Sequence, residues 1–196
     1  MSVYAVRLRL GAALVALTAV MSGCGGDPPS PPPFTPSTVA SSPTSTPTST
    51  PTGTGPVEPV LPDAAKAPTA AGAEAFARFY WEMGNFAQAT GDTQGLRRLG
   101  ASTCDPCTSG ADGVELIYSD KGVIRGGDYT PTVIEAHDTS TAVKAYTVTL
   151  RLAISAQVID YPADKRDVHS ESGVRRIRMT LNFLSGSWVV VFMEKP

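Results

Sequence analysis

Two cysteines three residues apart, Cys104-Asp105-Pro106-Cys107, form the most conspicuous chemical pattern in this chain of 196 residues. Three chemistries use such a pair. Outside the cytoplasm, neighbouring thiols oxidise to a structural disulfide. A cysteine at a helix N-terminus has a lowered pKa and can exchange disulfides. A metal site needs about four ligands, and no second CxxC or histidine pair follows to complete one. No metal and no cofactor is therefore expected. The two histidines, His137 and His169, have no Ser or Cys at a nucleophile spacing. Gly126-Gly127 lacks the strand-to-helix context of a phosphate loop.

Three arginines make a second pattern. Arg151 falls on the polar side of one alternating run, and Arg176 and Arg178 fall on the polar side of another. If the two runs are neighbours, the three guanidinium groups form a basic patch suited to a wall polymer or an anionic lipid. A solvated sheet face guarded against edge pairing is the alternative.

The third cysteine, Cys24, has a different use. Arg7 and Arg9 precede an apolar run, Leu10 to Met21, long enough for a signal peptide and too short to span a bilayer. Met21-Ser22-Gly23-Cys24 follows and resembles a bacterial lipobox, in which the thiol is diacylated and becomes the new N-terminus. Two acyl chains anchor stably where one is marginal. Residues 1–23 are thus expected to be a signal peptide. Residues 24–60 are expected to be a lipidated, disordered tether of Pro, Thr and Ser with too little apolar surface to fold. Its reach is roughly 30 Å as a coil. The expected location is the extracytoplasmic face of the cell membrane. The formal charge is −2, and cleavage before Cys24 makes the remainder more acidic. Nothing basic enough points to nucleic acid.

The foldable part is residues 61–196, enough for one core. Thr69 predicts the N-cap of a helix over Ala70–Thr90, where Phe76, Phe79, Tyr80, Met83, Phe86 and Ala87 recur at helical spacing and Gly91 stops it. A short helix is predicted over Thr93–Leu99. A third starts with Asp105 as N-cap and Pro106 at the first helical position, carries Val114, Leu116, Ile117 and Tyr118, and ends by Gly122. The period then changes to alternation. Strands are predicted over Tyr129–Ala136, Val143–Ile154, Val174–Leu184 and Trp188–Met193. A polar loop runs from Asp160 to Gly173, and Ser185-Gly186 forms a tight turn. Helices first and antiparallel strands later make an α+β domain.

Three helices packed on a curved antiparallel sheet of about four strands resembles the nuclear-transport-factor-2-like cone shared with SnoaL and ketosteroid isomerase. The stretches Ala75-Phe76-Ala77-Arg78-Phe79-Tyr80, Ala89-Thr90-Gly91-Asp92-Thr93 and Cys104-Asp105-Pro106-Cys107 also resemble an uncharacterised family of actinobacterial lipoproteins, domain of unknown function 6318, from about Ala67 onward. The family resemblance brings no activity, and the cone hosts enzymes and non-enzymes alike. For an enzyme, the cone resemblance implies an Asp or His base against an apolar wall, with Glu135, His137 and Asp128 as candidates whose facing the sequence leaves open. Thr130-Pro131-Thr132 superficially resembles the loop facing the CxxC of thioredoxin-like folds, but those place the motif directly after a strand. The leading expectation is a non-catalytic binding or interaction domain in the cell envelope, anchored by lipid, with a wall polymer or envelope protein as candidate partner. A cone-cavity enzyme or carrier and an extracytoplasmic thiol oxidoreductase are the alternatives.

Overall fold

The chain's first long apolar periodicity becomes its central helix. In the computed structural model, which describes residues 55–162 and 166–196, helix α1 runs Ala70–Thr90. Thr69 is extended, and its Oγ1 accepts a bond from the Gly72 N–H at 3.1 Å. That satisfies one of the amide groups a helix start leaves unpaired. Gly91 stops the helix in the left-handed region, at φ 79°. Its N–H reaches the Ala87 carbonyl, and a Cβ there would lie 2.7 Å from the Tyr118 ring. Phe76, Phe79, Tyr80, Met83 and Ala87 are buried, whereas Phe86 is only partly covered. The expected lipobox at Cys24, the expected signal peptide and the Pro/Thr/Ser run through residue 54 lie outside the described residues. No described helix is long and apolar enough to cross a membrane.

Helix α2 spans Gln94–Leu99 and turns Leu96 inward. Thr93 takes the cap position, but its hydroxyl donates to Glu115 of the next helix and makes no cap bond. Helix α3 is Asp105–Ser119. Two expectations change here. Cys104, not Asp105, is the N-cap, so the helix starts one residue early with Asp105 in its first turn. Leu116 points to solvent, 64% exposed, and Val114 with Ala111 carries the inner face. The apolar residues Val114, Leu116, Ile117 and Tyr118 crowd into five positions, so only part of them can face one side of a helix.

Among the described residues seven strands form two antiparallel sheets, where the alternation predicted one of about four strands. The larger sheet has the order β2-β3-β6-β7: Tyr129–Asp138, Lys144–Ile154, Gly173–Leu184 and Ser187–Glu194. The smaller has the order β1-β4-β5: Val123–Gly126, Gln157–Asp160 and Val168–Ser170. β5 lies inside the segment expected to be a polar loop. Strands of three or four residues complete at most two alternations, too few for period 2 to show. Gly126 and Gly127, with φ 68° and 76°, let the chain leave β1 and enter the larger sheet.

The larger sheet carries the core. Tyr146, Val148, Leu150 and Leu152 of β3, Ile177, Met179 and Leu181 of β6, and Trp188 and Val190 of β7 are buried together with the apolar face of α1. Trp188 packs edge-to-face on Tyr146 and Phe183, and its Nε1–H donates to the Ala67 carbonyl at 3.2 Å. Ser185 and Gly186 both have positive φ, as a two-residue hairpin turn requires. Residues Ser49–Pro196 form a compact unit, and among the described residues its core and packed periphery run from Leu61 to Met193.

Candidate functional site

Three places in the domain could bind or react. The first is the cysteine pair. Cys104 and Cys107 form a disulfide at the start of α3. Cys104 is 0% exposed and Cys107 6%. Cys104 N–H bonds to the Ala101 carbonyl, and Ala101 N–H to Val190 of β7, so the bridge sits where α3 is fastened to the edge of the larger sheet. Gly100 lies so close that a Cβ there would meet Cys107 Cβ at 2.8 Å. A thiolate that attacks a substrate disulfide must be reached by it, and neither sulfur is presented in that way. Pro131, the residue that would correspond to a facing proline loop, lies within β2 and has a trans peptide bond.

The second place is a chamber of about 180 Å³ between the helices and the sheet, lined by Tyr80, Trp81, Gly84, Leu96, Pro106, Val114, Tyr129 and Met193, with Gln88 at its polar side. Its walls are mostly apolar. Burial pushes the Tyr80 phenol well above its ordinary pKa, and neighbouring Tyr129 adds to this. Burial also raises Tyr129, opposed by the charge of Arg175. Both phenols are therefore neutral donors at physiological pH. Trp81 packs edge-to-face on Tyr80 and Tyr129, and its Nε1–H is buried with no partner among the described residues.

Two amides of α1 hold this chamber's wall. Asn85 Nδ2 donates to the Tyr129 carbonyl at 2.9 Å, and Asn85 Oδ1 accepts from Tyr129 N–H at 2.7 Å. Gln88, 7% exposed, donates to the Gly127 carbonyl, accepts from Gln157 Nε2, and offers its backbone carbonyl to the Tyr118 hydroxyl. Beyond Gln157 lies an open cleft of about 450 Å³, where three connections pass between the two sheets. Ser170, Glu171 and Ser172 edge it, with Arg175 opposite. Asn85 and Gln88 were not singled out by sequence reasoning. Their signal is a polar residue on the apolar stripe of α1.

The third place is the outer face of the larger sheet. Arg151 of β3 is directly opposite Arg176 of β6, and Thr149 opposite Arg178. The three arginines thus share one exposed face. Arg178 is tied to Glu194 of β7 at 2.7 Å. Arg151 and Arg176 make no ion pair among the described residues.

The family of unknown function DUF6318 matches residues 48–194, three quarters of the sequence. The chain belongs to this family. No curated protein matches the sequence. Among solved structures, the DUF6318 domain is similar to the intermembrane-space region of the chloroplast protein ARC6, at 11% identity and TM-score 0.52, covering 65% of this chain and 95% of that one. That likeness concerns the fold alone. A variant of a nuclear-transport-factor-2-type protein superposes more loosely, at 12% identity and TM-score 0.41, covering 63% of this chain and 99% of the other.

The remaining sequence candidates do not converge in the DUF6318 domain. Asp128, Glu135, His137 and His169 are all exposed. His137 Nε2 lies 3.1 Å from Glu135 Oε2 on the outer face of β2, away from the chamber. Asp128 accepts from Ser155 Oγ at the mouth of β2. Among the described residues no carboxylate or imidazole lines the chamber, and no group of three His, Cys, Asp or Glu side chains gathers as metal ligands would.

Proposed function

We propose that this chain is a lipid-anchored protein of the extracytoplasmic membrane face, and that its DUF6318 domain is a non-catalytic binding module with the helices-on-sheet layout of a nuclear-transport-factor-2-like cone. The observation that carries the reading is the buried Cys104–Cys107 disulfide. Adjacent thiols stay bridged in oxidising compartments. Buried at a helix start, the bridge braces α3 against β7 and is poorly placed for exchange. The signal-like run ending at Cys24 and the Pro/Thr/Ser segment after it agree with export and tethering. The test is fractionation of cells producing the full chain and its Cys24→Ala variant. The reading expects the full chain in the membrane fraction and the variant released from it. Equal recovery of both in the cytosol would overturn it.

A second reading follows from the chamber. Its apolar walls and the unpartnered Trp81 Nε1–H suit a small apolar molecule carrying one hydrogen-bond acceptor. With no acid or base on its walls among the described residues, such a site would carry a ligand and leave it unchanged. Melting curves with small aromatic ketones as probes test this: a concentration-dependent rise in Tm is expected, and no rise with any probe contradicts it.

A further inference from the structure

The outer face of the larger sheet joins two features. The first is a pair of arginines without an ion-pair partner among the described residues. Like charges directly opposite across two strands repel, yet Arg151 faces Arg176 with no acid in ion-pairing reach among the described residues. Of the acids on this face, Glu194 is paired with Arg178, and Glu135 lies 3.1 Å from His137 Nε2, out of ion-pairing reach of Arg151 and Arg176. The second feature is apolar. Phe192 is 51% exposed, and because it lies opposite Thr180 it shares the arginine face of β6. Ile134, 49% exposed, bulges from β2 between Val133 and Glu135, beside the row of Thr132 and Arg151.

We infer that this face docks on an anionic phospholipid bilayer. The guanidinium groups of Arg151 and Arg176 take headgroup phosphates, and Phe192 and Ile134 enter the boundary between headgroups and acyl chains. Guanidinium forks suit phosphate oxygens. Arginine stems also cover apolar surface while their charge stays in water, which fits the burial of Thr149 between the arginine rows. A hydrophilic wall polymer would satisfy the arginines and leave Phe192 and Ile134 in water, so the pairing of both features selects the bilayer. The inference deepens the anchored-module reading: a domain on a membrane tether meets this surface at high effective concentration.

The experiment uses residues 49–196, which hold the core of the described residues, and so it is independent of Cys24. The purified domain is co-sedimented with vesicles of phosphatidylcholine alone and of phosphatidylcholine mixed with phosphatidylglycerol. Binding is expected only to the mixed vesicles and is expected to weaken with salt. Each arginine near an anionic surface is worth about fivefold in partitioning, so R151Q/R176Q together should weaken binding about thirtyfold. Phe192→Ser should weaken it further with the salt dependence kept. Unchanged melting curves show that the variants remain folded. Failure to bind mixed vesicles, or binding indifferent to R151Q/R176Q, overturns the inference. Binding that soluble polyphosphate abolishes while Phe192→Ser has no effect also overturns it, in favour of a polymer partner. Because acylation of Cys24 is not measured here, failure of this face and failure of the anchor remain distinguishable.

Discussion

Cys104 and Gly91 show how single positions hold this domain. The disulfide closes a very short loop, so the chain-entropy argument allows it about 2 kcal/mol at most. Replacing both cysteines by alanine should lower the urea unfolding free energy by about that amount and leave a folded domain. A loss of folding altogether would mean the bridge does more than brace α3. Gly91 is constrained twice, by its left-handed backbone and by the Tyr118 ring 2.7 Å from where a Cβ would sit. Gly91→Ala should cost at least the 1–2 kcal/mol typical of a left-handed non-glycine residue, and Tyr118→Phe about 1 kcal/mol for the lost bond to the Gln88 carbonyl. Urea melts of the two variants check the order, glycine first. Gly91 was readable as a helix stop, because glycine after an apolar helical run has that meaning. The ring against it was not, since no spacing rule links residue 91 to residue 118.

At the scale of elements, α1 and the strand β2 are joined by an unusual device. Asn85 presents an amide to both backbone groups of Tyr129, as a neighbouring strand would. Asn85→Ala should leave a partly buried N–H and carbonyl unpaired, at about 1–3 kcal/mol. Hydrogen exchange at Tyr129 N–H should rise in step, and unchanged exchange would show that this bond does not hold the strand. Helices α2 and α3 are tied differently. Arg97 reaches Glu115 and Asp112, at 2.9 and 2.5 Å. Hydrogen bonds from Arg97 and then Thr93 hold the Glu115 carboxyl below its ordinary pKa. A carboxyl depressed in the fold stabilises above its unfolded pKa, about 4.3, and that contribution is lost as pH falls through the folded value. Acid destabilisation below about pH 4 should therefore be shallower in Arg97→Ala than in the unaltered domain. Elements were legible in proportion to their length. α1 and β3 complete several periods of their pattern, and β6 alternates Ile177, Met179 and Leu181 against Arg176, Arg178 and Thr180. The smaller sheet, with its three- and four-residue strands, had no period to read. The register placing Arg151 opposite Arg176 followed only from how β3 and β6 pair.

For the molecule as a whole, chemistry is sparse where packing is dense. Among the described residues the histidines lie outside, Cys104 and Cys107 are bridged and buried, and the chamber walls are mostly apolar. These features suit the proposed module, which would bind at an envelope surface and be held there by an N-terminal lipid. The proposed attachment is read from the sequence alone, from Arg7, Arg9, the apolar run and Cys24, whereas the candidate binding face needed the fold. The most direct measurement is the mass of the N-terminal peptide released from membrane-extracted protein. The account predicts a peptide that begins at Cys24 and carries the added mass of a diacylglyceryl group. A peptide running through Cys24 from upstream residues, with an unmodified thiol, would contradict it.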